Sequence, residues 1–278
     1  MQKDQLITRR RLLFAGAAAL GAGAAGTAGL LLTGSSDTRS AAPAAGPQAR
    51  GPQNSSAYRL RPLTGDVPQR AQPLPTKVRT APILHFPGRG NTMLLTFDDG
   101  PNPEYTPHIL DTLAKYDIRA TFMVCGEMAD WNRGLLARMA DEGHVVGNHT
   151  WTHPLLTQLS RSEVRDEIES TSDVIEKAYG SRPLWFRAPY GAWNRTVFQL
   201  NADMGMEPLA WTVDSLDWTT PGTGTIVRRV ERGAAPGVVV LSHDAGGDRT
   251  QTVRALRKYL PELLDRGYRF TVPRRTYT

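Results

Sequence analysis

Residues 94–103 read LLTFDDGPNP, a short apolar run that stops at two adjacent carboxylates, Asp98 and Asp99, before Gly100 and Pro101. A run of this length bounded by Asp-Gly and Pro predicts a buried strand that ends in a turn. Successive side chains of a strand point to opposite faces, so the two aspartates are expected to leave the backbone in different directions and to do different jobs. A plain polar turn would also explain the pattern, because Asp-Gly is ordinary turn chemistry. The ends of the other apolar runs decide between the two.

From residue 91 onward the runs TMLLTFDD, ATFMVCG, HVVGNHT, WFRAPYG, PLAWTVD, GVVVLSHD and YRFTVP alternate with helical patterns such as PHILDTLAKYD, NRGLLARMADEG and SEVRDEIESTSDVIEKAYG. That predicts seven strands and six helices, an α/β domain over 91–278 with a parallel sheet, either doubly wound or closed into a (β/α) barrel. In both architectures chemistry gathers at the carboxyl ends of the strands. Here those ends carry Asp98 and Asp99, then His149 and His153, Arg187, Asp214 and Asp217, and His243. Chance would scatter such residues over both strand ends and the outer helices.

Composition bounds the rest. With 278 residues, 40% of them hydrophobic, the chain can bury a full core, and its single cysteine, Cys125, excludes an intrachain disulfide. Residues 1–42 hold five Lys/Arg and two Asp/Glu, residues 43–90 seven and one, and residues 91–278 twenty-one and twenty-four, giving +3, +6 and −3. The basic balance therefore belongs to the N-terminal part, and the domain is not expected to bind nucleic acid. Thr8, Arg9, Arg10, Arg11, Leu12 and Leu13 precede a long Ala/Gly/Leu run, which resembles a twin-arginine export signal and implies the export machinery as a partner. The apolar run from Leu12 to Leu32 is also long enough to span a membrane, so an uncleaved anchor is the alternative. Either way the domain is expected outside the cytoplasm, extracellular or associated with the cell wall. Residues 43–90, rich in Pro, Ala, Gln and Arg, read as a flexible basic linker, a solvated spacer or a means of holding the protein near anionic cell-wall polymer. Nothing in the pattern calls for an oligomer, and a monomer is expected.

GNHTWTHPLL places His149 and His153 four residues apart, and Pro154 disfavours helix at His153, so a strand end and a turn are expected to aim both rings inward. Two imidazoles and a carboxylate from another strand end would make a three-ligand metal site with an open position; a hydrogen-bonded surface pair is the plainer alternative. Hydrolysis at such a site also needs a base, an acid for the leaving group and a donor to the developing oxyanion. The remaining aspartate suits the base, with Arg187 to hold it ionised. The Tyr190 amide beside Pro189 could donate to the oxyanion, and His243, its pKa raised by Asp217, could be the acid.

TFDDGP, HTWTHP, RAPYG, DSLDW and LSH occur in this order at successive strand ends. Together they resemble the polysaccharide deacetylases, the NodB-type domain of carbohydrate esterase family four, over about residues 91–272. The resemblance implies a distorted (β/α) barrel of about seven parallel strands and a hydrolase that removes N-acetyl groups from glycans containing N-acetylglucosamine. It implies Asp98 as base, Asp99, His149 and His153 as ligands of one divalent ion, zinc by family expectation with cobalt or manganese also accepted, and Arg187 as the tether of Asp98. Tyr190 would contribute its amide, Asp217 would tune His243 as the acid, and Trp218, Leu241 and Pro189 would line the pocket for the acetyl methyl. An O-acetyl xylan esterase with the same residues and a non-catalytic cell-wall glycan-binding protein are the competing functions.

Overall fold

A computed structural model describes residues 74–86 and 90–275. The expected signal over 1–42, the greater part of the expected linker, and 276–278 lie outside the described residues. Among the described residues no helix is long and apolar enough to cross a membrane.

In chain order the elements are β1 (Thr92–Asp98), α1 (Thr106–Lys115), β2 (Thr121–Val124), α2 (Gly126–Trp131), α3 (Arg133–Asp141), β3 (Val145–Asn148), α4 (Arg161–Tyr179) and β4 (Trp185–Phe186). There follow α5 (Arg195–Asp203), β5 (Glu207–Pro208), β6 (Val213–Asp214), α6 (Thr223–Gly233), β7 (Val239–His243), α7 (Thr250–Asp265) and β8 (Arg269–Thr271). The sheet order is β5-β4-β3-β2-β1-β7-β6, with β8 also paired to β1, and every strand pair is parallel. Six consecutive residues of β1 are buried, as a central parallel strand covered on both faces requires. Helix α4 shows why these segments are helical: Ser160 and Glu163 form a capping box, Val164, Ile168 and Ile175 share its buried face, and Gly180 ends it with φ 96°.

The run PLAWTVD, expected as one strand, is two. β5 and β6 lie at opposite edges of the sheet, and only residues 209–212 join them. Four residues reach about 13–14 Å at most, so the sheet has to curl until its edges nearly meet, which is the distorted half-barrel. The four connecting residues, LAWT, hold no Gly, Pro, Asn or Asp to mark a break, so alternation of polarity does not reveal the crossing.

The expected linker 43–90 is corrected over residues 74–86, which belong to the folded domain. Ile83 pairs with Leu209 and His85 with Val238, so this segment lies across the gap between the sheet edges. The Ile83 N–H donates to the Pro208 carbonyl and the Ala210 N–H donates to the Ile83 carbonyl, each at 2.8 Å. Ile83 and Phe86 pack on a core cluster of Leu94, Met123, Trp185, Leu209 and Val239. Ile83 and Phe86 fall among prolines, basic residues and the exposed Leu74, Val78 and Leu84 at no regular spacing, which leaves too weak a period to read.

Candidate active site

The carboxyl ends of β1, β3, β4 and β7 meet in one pocket. Asp98 pairs in register with His243 across the β1–β7 ladder, so the two side chains project from neighbouring positions on one face. Arg187, directly after β4, is completely buried and is held at every nitrogen: Nε donates to the Leu209 carbonyl at 3.1 Å, Nη2 to the Ala210 carbonyl at 3.1 Å, and Nη1 to Thr96 at 2.8 Å and to Asp98 Oδ1 at 2.6 Å. Burial pushes the Asp98 carboxyl above the usual carboxylate range, while the Arg187 and His243 charges oppose the rise.

The expectation that Asp98 and Asp99 diverge is only half right. Asp99 has φ 75°, a left-handed conformation that turns its carboxylate back toward the pocket. Asp98 Oδ2 and Asp99 Oδ1 both stand 3.6 Å from His149 Nε2, and His153 Nε2 is 3.4 Å from Asp99 Oδ1. Strand alternation stops applying where the strand ends, one residue earlier than the reading assumed. His153 also adopts a positive φ, 59°, and its ring lies edge-on to those of His149, at 4.9 Å, and Tyr190, at 4.6 Å.

These residues fit a metal ion. One ligand atom from each of Asp99, His149 and His153 lies within 4.8 Å of the others. Asp99 Oδ1 is buried without a hydrogen-bond partner, a cost that a cation would remove. Bonds of about 2.1 Å at tetrahedral angles put ligand atoms about 3.4 Å apart, which matches the 3.4 and 3.6 Å separations from Asp99 to the two imidazoles. His149 Nδ1 lies 2.8 Å from the Arg187 carbonyl, an acceptor only, so Nδ1 carries the proton and Nε2 offers its lone pair to the pocket. Burial, with the charge of His153 beside it, lowers the His149 pKa to about 3, which keeps that lone pair available.

Opposite, His243 Nδ1 is 2.7 Å from Asp217 Oδ1, and the His243 backbone N–H donates to Asp217 Oδ2 at 2.9 Å. Thr252 donates to the same Oδ2 at 2.7 Å. Burial alone would depress His243; the hydrogen bond and charge of Asp217 outweigh it and raise the pKa to about 9. Asp217 starts a 3-10 turn, Asp217–Thr219, and the next residue, Trp218, is half exposed. Leu241, two residues before His243 on the same face of β7, is buried. Pro189 is buried and Tyr190 exposed in a second turn, Pro189–Gly191, where Tyr190 has φ 61°. Asp214 stands on the same rim but is occupied locally, accepting the Leu216 N–H at 2.8 Å. A cavity of about 310 Å³ lined by Val145, Tyr179, Arg182, Trp185 and Arg275 opens elsewhere, at the amino ends of β3 and β4, where the titratable cluster is absent.

Sequence reasoning missed three residues here. Thr96 accepts from Arg187, Thr252 holds Asp217, and Asp244, buried beside Gly100, has its pKa raised by burial to about 7. A threonine in a strand or helix gives no signal, but Asp244 directly follows His243 at a strand end and carried the same polar mark as the residues that were found.

The family model for polysaccharide deacetylases matches residues 87–209. A peptidoglycan-N-acetylglucosamine deacetylase of Bacillus cereus is 40% identical over 186 residues, 66% of this chain and 87% of the relative. The chain belongs to the polysaccharide deacetylase family. A chitooligosaccharide deacetylase of a Bradyrhizobium strain is 41% identical over 189 residues, 64% of this chain and 86% of the relative. The solved structure of a peptidoglycan N-acetylglucosamine deacetylase superposes with a TM-score of 0.66 at 36% identity, covering 68% of this chain and 88% of that one. This polysaccharide deacetylase is therefore a hydrolase that acts on an amide, built on the half-barrel described above.

Proposed function

We propose that the chain removes N-acetyl groups from glycans containing N-acetylglucosamine, peptidoglycan or chitin-type oligomers, with one divalent ion held by Asp99, His149 and His153. Two imidazoles and a carboxylate favour zinc, and the same donors accept cobalt or manganese. The observation that carries this reading is the register of Asp98 opposite His243, one tied to a buried guanidinium and the other to a buried carboxylate, with the three candidate ligands beside them. An ion bound there supplies a Lewis acid for the acetyl carbonyl and for the attacking water.

The protein's own groups handle the protons. Asp98 takes a proton from the attacking water; Arg187 fixes its Oδ1 and leaves Oδ2 facing the pocket. Burial raises its pKa and makes this carboxylate a stronger base than a solvated one, while the Arg187 charge opposes the rise and favours the ionised form that accepts a proton. The Tyr190 amide donates to the carbonyl oxygen as its negative charge develops. His243, protonated up to about pH 9, gives its proton to the departing amine from Nε2, because Nδ1 is engaged with Asp217. Trp218, Leu241 and Pro189 receive the acetyl methyl. Acetate release from N-acetylglucosamine oligomers, peptidoglycan and O-acetylated xylan, with and without chelator, tests the reading. Release from xylan alone would replace it with the esterase, and release from none would replace it with a glycan-binding role.

We further infer export through the twin-arginine route, with residues 1–42 as a cleaved signal or a retained anchor and the basic linker against anionic cell wall. The support is the TRRRLL stretch before an Ala/Gly-rich run. Changing Arg9, Arg10 and Arg11 to Lys should hold the protein in the cytoplasm; unchanged export refutes the route.

A further inference from the structure

The turn that carries both aspartates is held from outside by a residue with no part in the chemistry so far. Asp244 is buried, its backbone N–H donates to the Asp98 carbonyl at 3.1 Å, and its Oδ2 accepts from the Thr106 hydroxyl at 2.5 Å. Thr106, the first residue of α1, in turn accepts the Asn102 N–H at 2.8 Å. The Gly100 carbonyl accepts the Cys125 N–H at 3.1 Å. The stretch from Asp98 to Asn102 is thereby tied to β7, to the end of β2 and to α1. Contact is so close at Gly100 that an added Cβ would lie 2.1 Å from Asp244 Oδ2, so the glycine of the DDG sequence is demanded by the carboxyl group beneath it. Asp244 Oδ1 has no partner. Burying a carboxyl group with half its acceptors unused costs stability, and an apolar side chain would fill the same space without that cost. What the apolar side chain could not do is bind the Thr106 hydroxyl.

We propose that Asp244 is a positioning residue for deacetylation: through Thr106 and its contact with Gly100 it fixes the Asp98–Asp99–Gly100 turn, and with it the placement of the base relative to the metal ligands. This rests on the roles assigned to Asp98 and Asp99 above. Removing the carboxyl group lets the turn relax, so both the position of the base and the reach of Asp99 suffer, while the glycan surface is untouched.

The test combines steady-state kinetics on N-acetylglucosamine oligomers with zinc titration of chelator-stripped protein. Asp244→Ala should lower kcat about tenfold to a hundredfold, the usual effect of losing a group that orients a ligand, weaken zinc binding about tenfold, and leave KM within about threefold. Thr106→Val should move the same quantities in the same direction, and Thr106→Ser, which keeps the hydroxyl, should restore them. Gly100→Ala should be severe in the wild type and much milder on top of Asp244→Ala, because the double variant has room for the methyl. Wild-type kcat and zinc affinity in Asp244→Ala overturn the proposal. If Asp244→Ala does not fold, Thr106→Val decides: unchanged kcat and zinc affinity there overturn it equally. Should the wild type release acetate from no oligomer, the functional reading fails, and the zinc titrations still decide the role of Asp244.

Discussion

Two histidines in one pocket lie at opposite ends of the imidazole range, His149 lowered to about 3 and His243 raised to about 9. Burial acts on both and pushes both down, so burial does not tell them apart. The partner of Nδ1 does. For His149 it is the Arg187 carbonyl, a neutral acceptor that orients the ring without holding a charge, with the cation of Arg187 and the ring of His153 nearby. For His243 it is the Asp217 carboxylate at 2.7 Å, itself fixed by the His243 N–H and by Thr252. One arrangement keeps an imidazole neutral and able to bind a cation; the other keeps it charged and able to give a proton.

Exchanging the two for alanine should break the comparison most sharply. His149→Ala removes a proposed ligand, so bound metal and activity should be lost together, whereas His243→Ala should keep its metal and lose about 10²- to 10⁴-fold in kcat. Metal content by mass spectrometry beside acetate release distinguishes them; metal loss in His243→Ala would end the division of labour. Asp98→Asn belongs with His243→Ala, since it removes the proposed base and preserves shape, and should cost a similar factor with metal retained. A metal-free Asp98→Asn protein would mean that Asp98, not Asp99, completes the ligand set.

The Asp217 to His243 pair sharpens the comparison with pH. A folded pKa of about 9 against an ordinary 6.5 means that the proton on His243 stabilises the fold fully below about pH 6.5, and that this contribution disappears as pH rises through 9. Its size is on the order of 3 kcal/mol. Asp217→Asn removes the carboxylate and leaves burial opposed only by the charges of Asp99 and Asp98, so the pKa should fall toward 6.5. At pH 8 the protonated fraction then drops about 30-fold, and kcat for an amide substrate should follow. The alkaline limb of the kcat profile and the decline of Tm between pH 6.5 and 9 should both move in this variant. Ester substrates should be hurt less, because an alkoxide leaves with less help than an amine. An unmoved alkaline limb would detach Asp217 from His243.

Much of this was legible in the sequence because the informative residues sit where apolar runs stop. Asp98, His149, Arg187 and His243 each end or follow such a run, and a parallel sheet gathers all such ends on one rim. What could not be read depends on geometry at the scale of one residue or on contacts far apart in the chain. The positive φ of Asp99 returns its carboxylate to the pocket, and no periodicity encodes that. The split of PLAWTVD into β5 and β6 depends on closure of the sheet, a long-range event. Residues 74–86 dock through backbone pairing at Ile83 and His85 and through the apolar side chains of Ile83 and Phe86, and neither contact stands out from a proline-rich spacer in the sequence. Asp244 directly follows His243, and the strand-end signal there is assigned to the histidine alone.

The smallest effect expected in the pocket concerns Tyr190, and it separates backbone from side chain. Its ring lies edge-on to His153 at 4.6 Å and its hydroxyl donates to the His153 carbonyl at 3.4 Å, a long bond at an exposed position. Such a bond contributes at most about 0.5–1 kcal/mol. The proposed role belongs instead to the amide, which the 3-10 turn and the left-handed φ of 61° aim regardless of the ring substituent. Tyr190→Phe should therefore change kcat by less than about threefold and leave metal content intact, since the ring contact with His153 survives. Tyr190→Gly keeps the amide and favours the positive φ but removes the ring; any loss beyond that of Tyr190→Phe then measures the support that the ring gives His153. A tenfold or larger fall of kcat in Tyr190→Phe, with metal retained, would move the role from the amide to the hydroxyl and make Tyr190 a third proton-handling side chain beside Asp98 and His243.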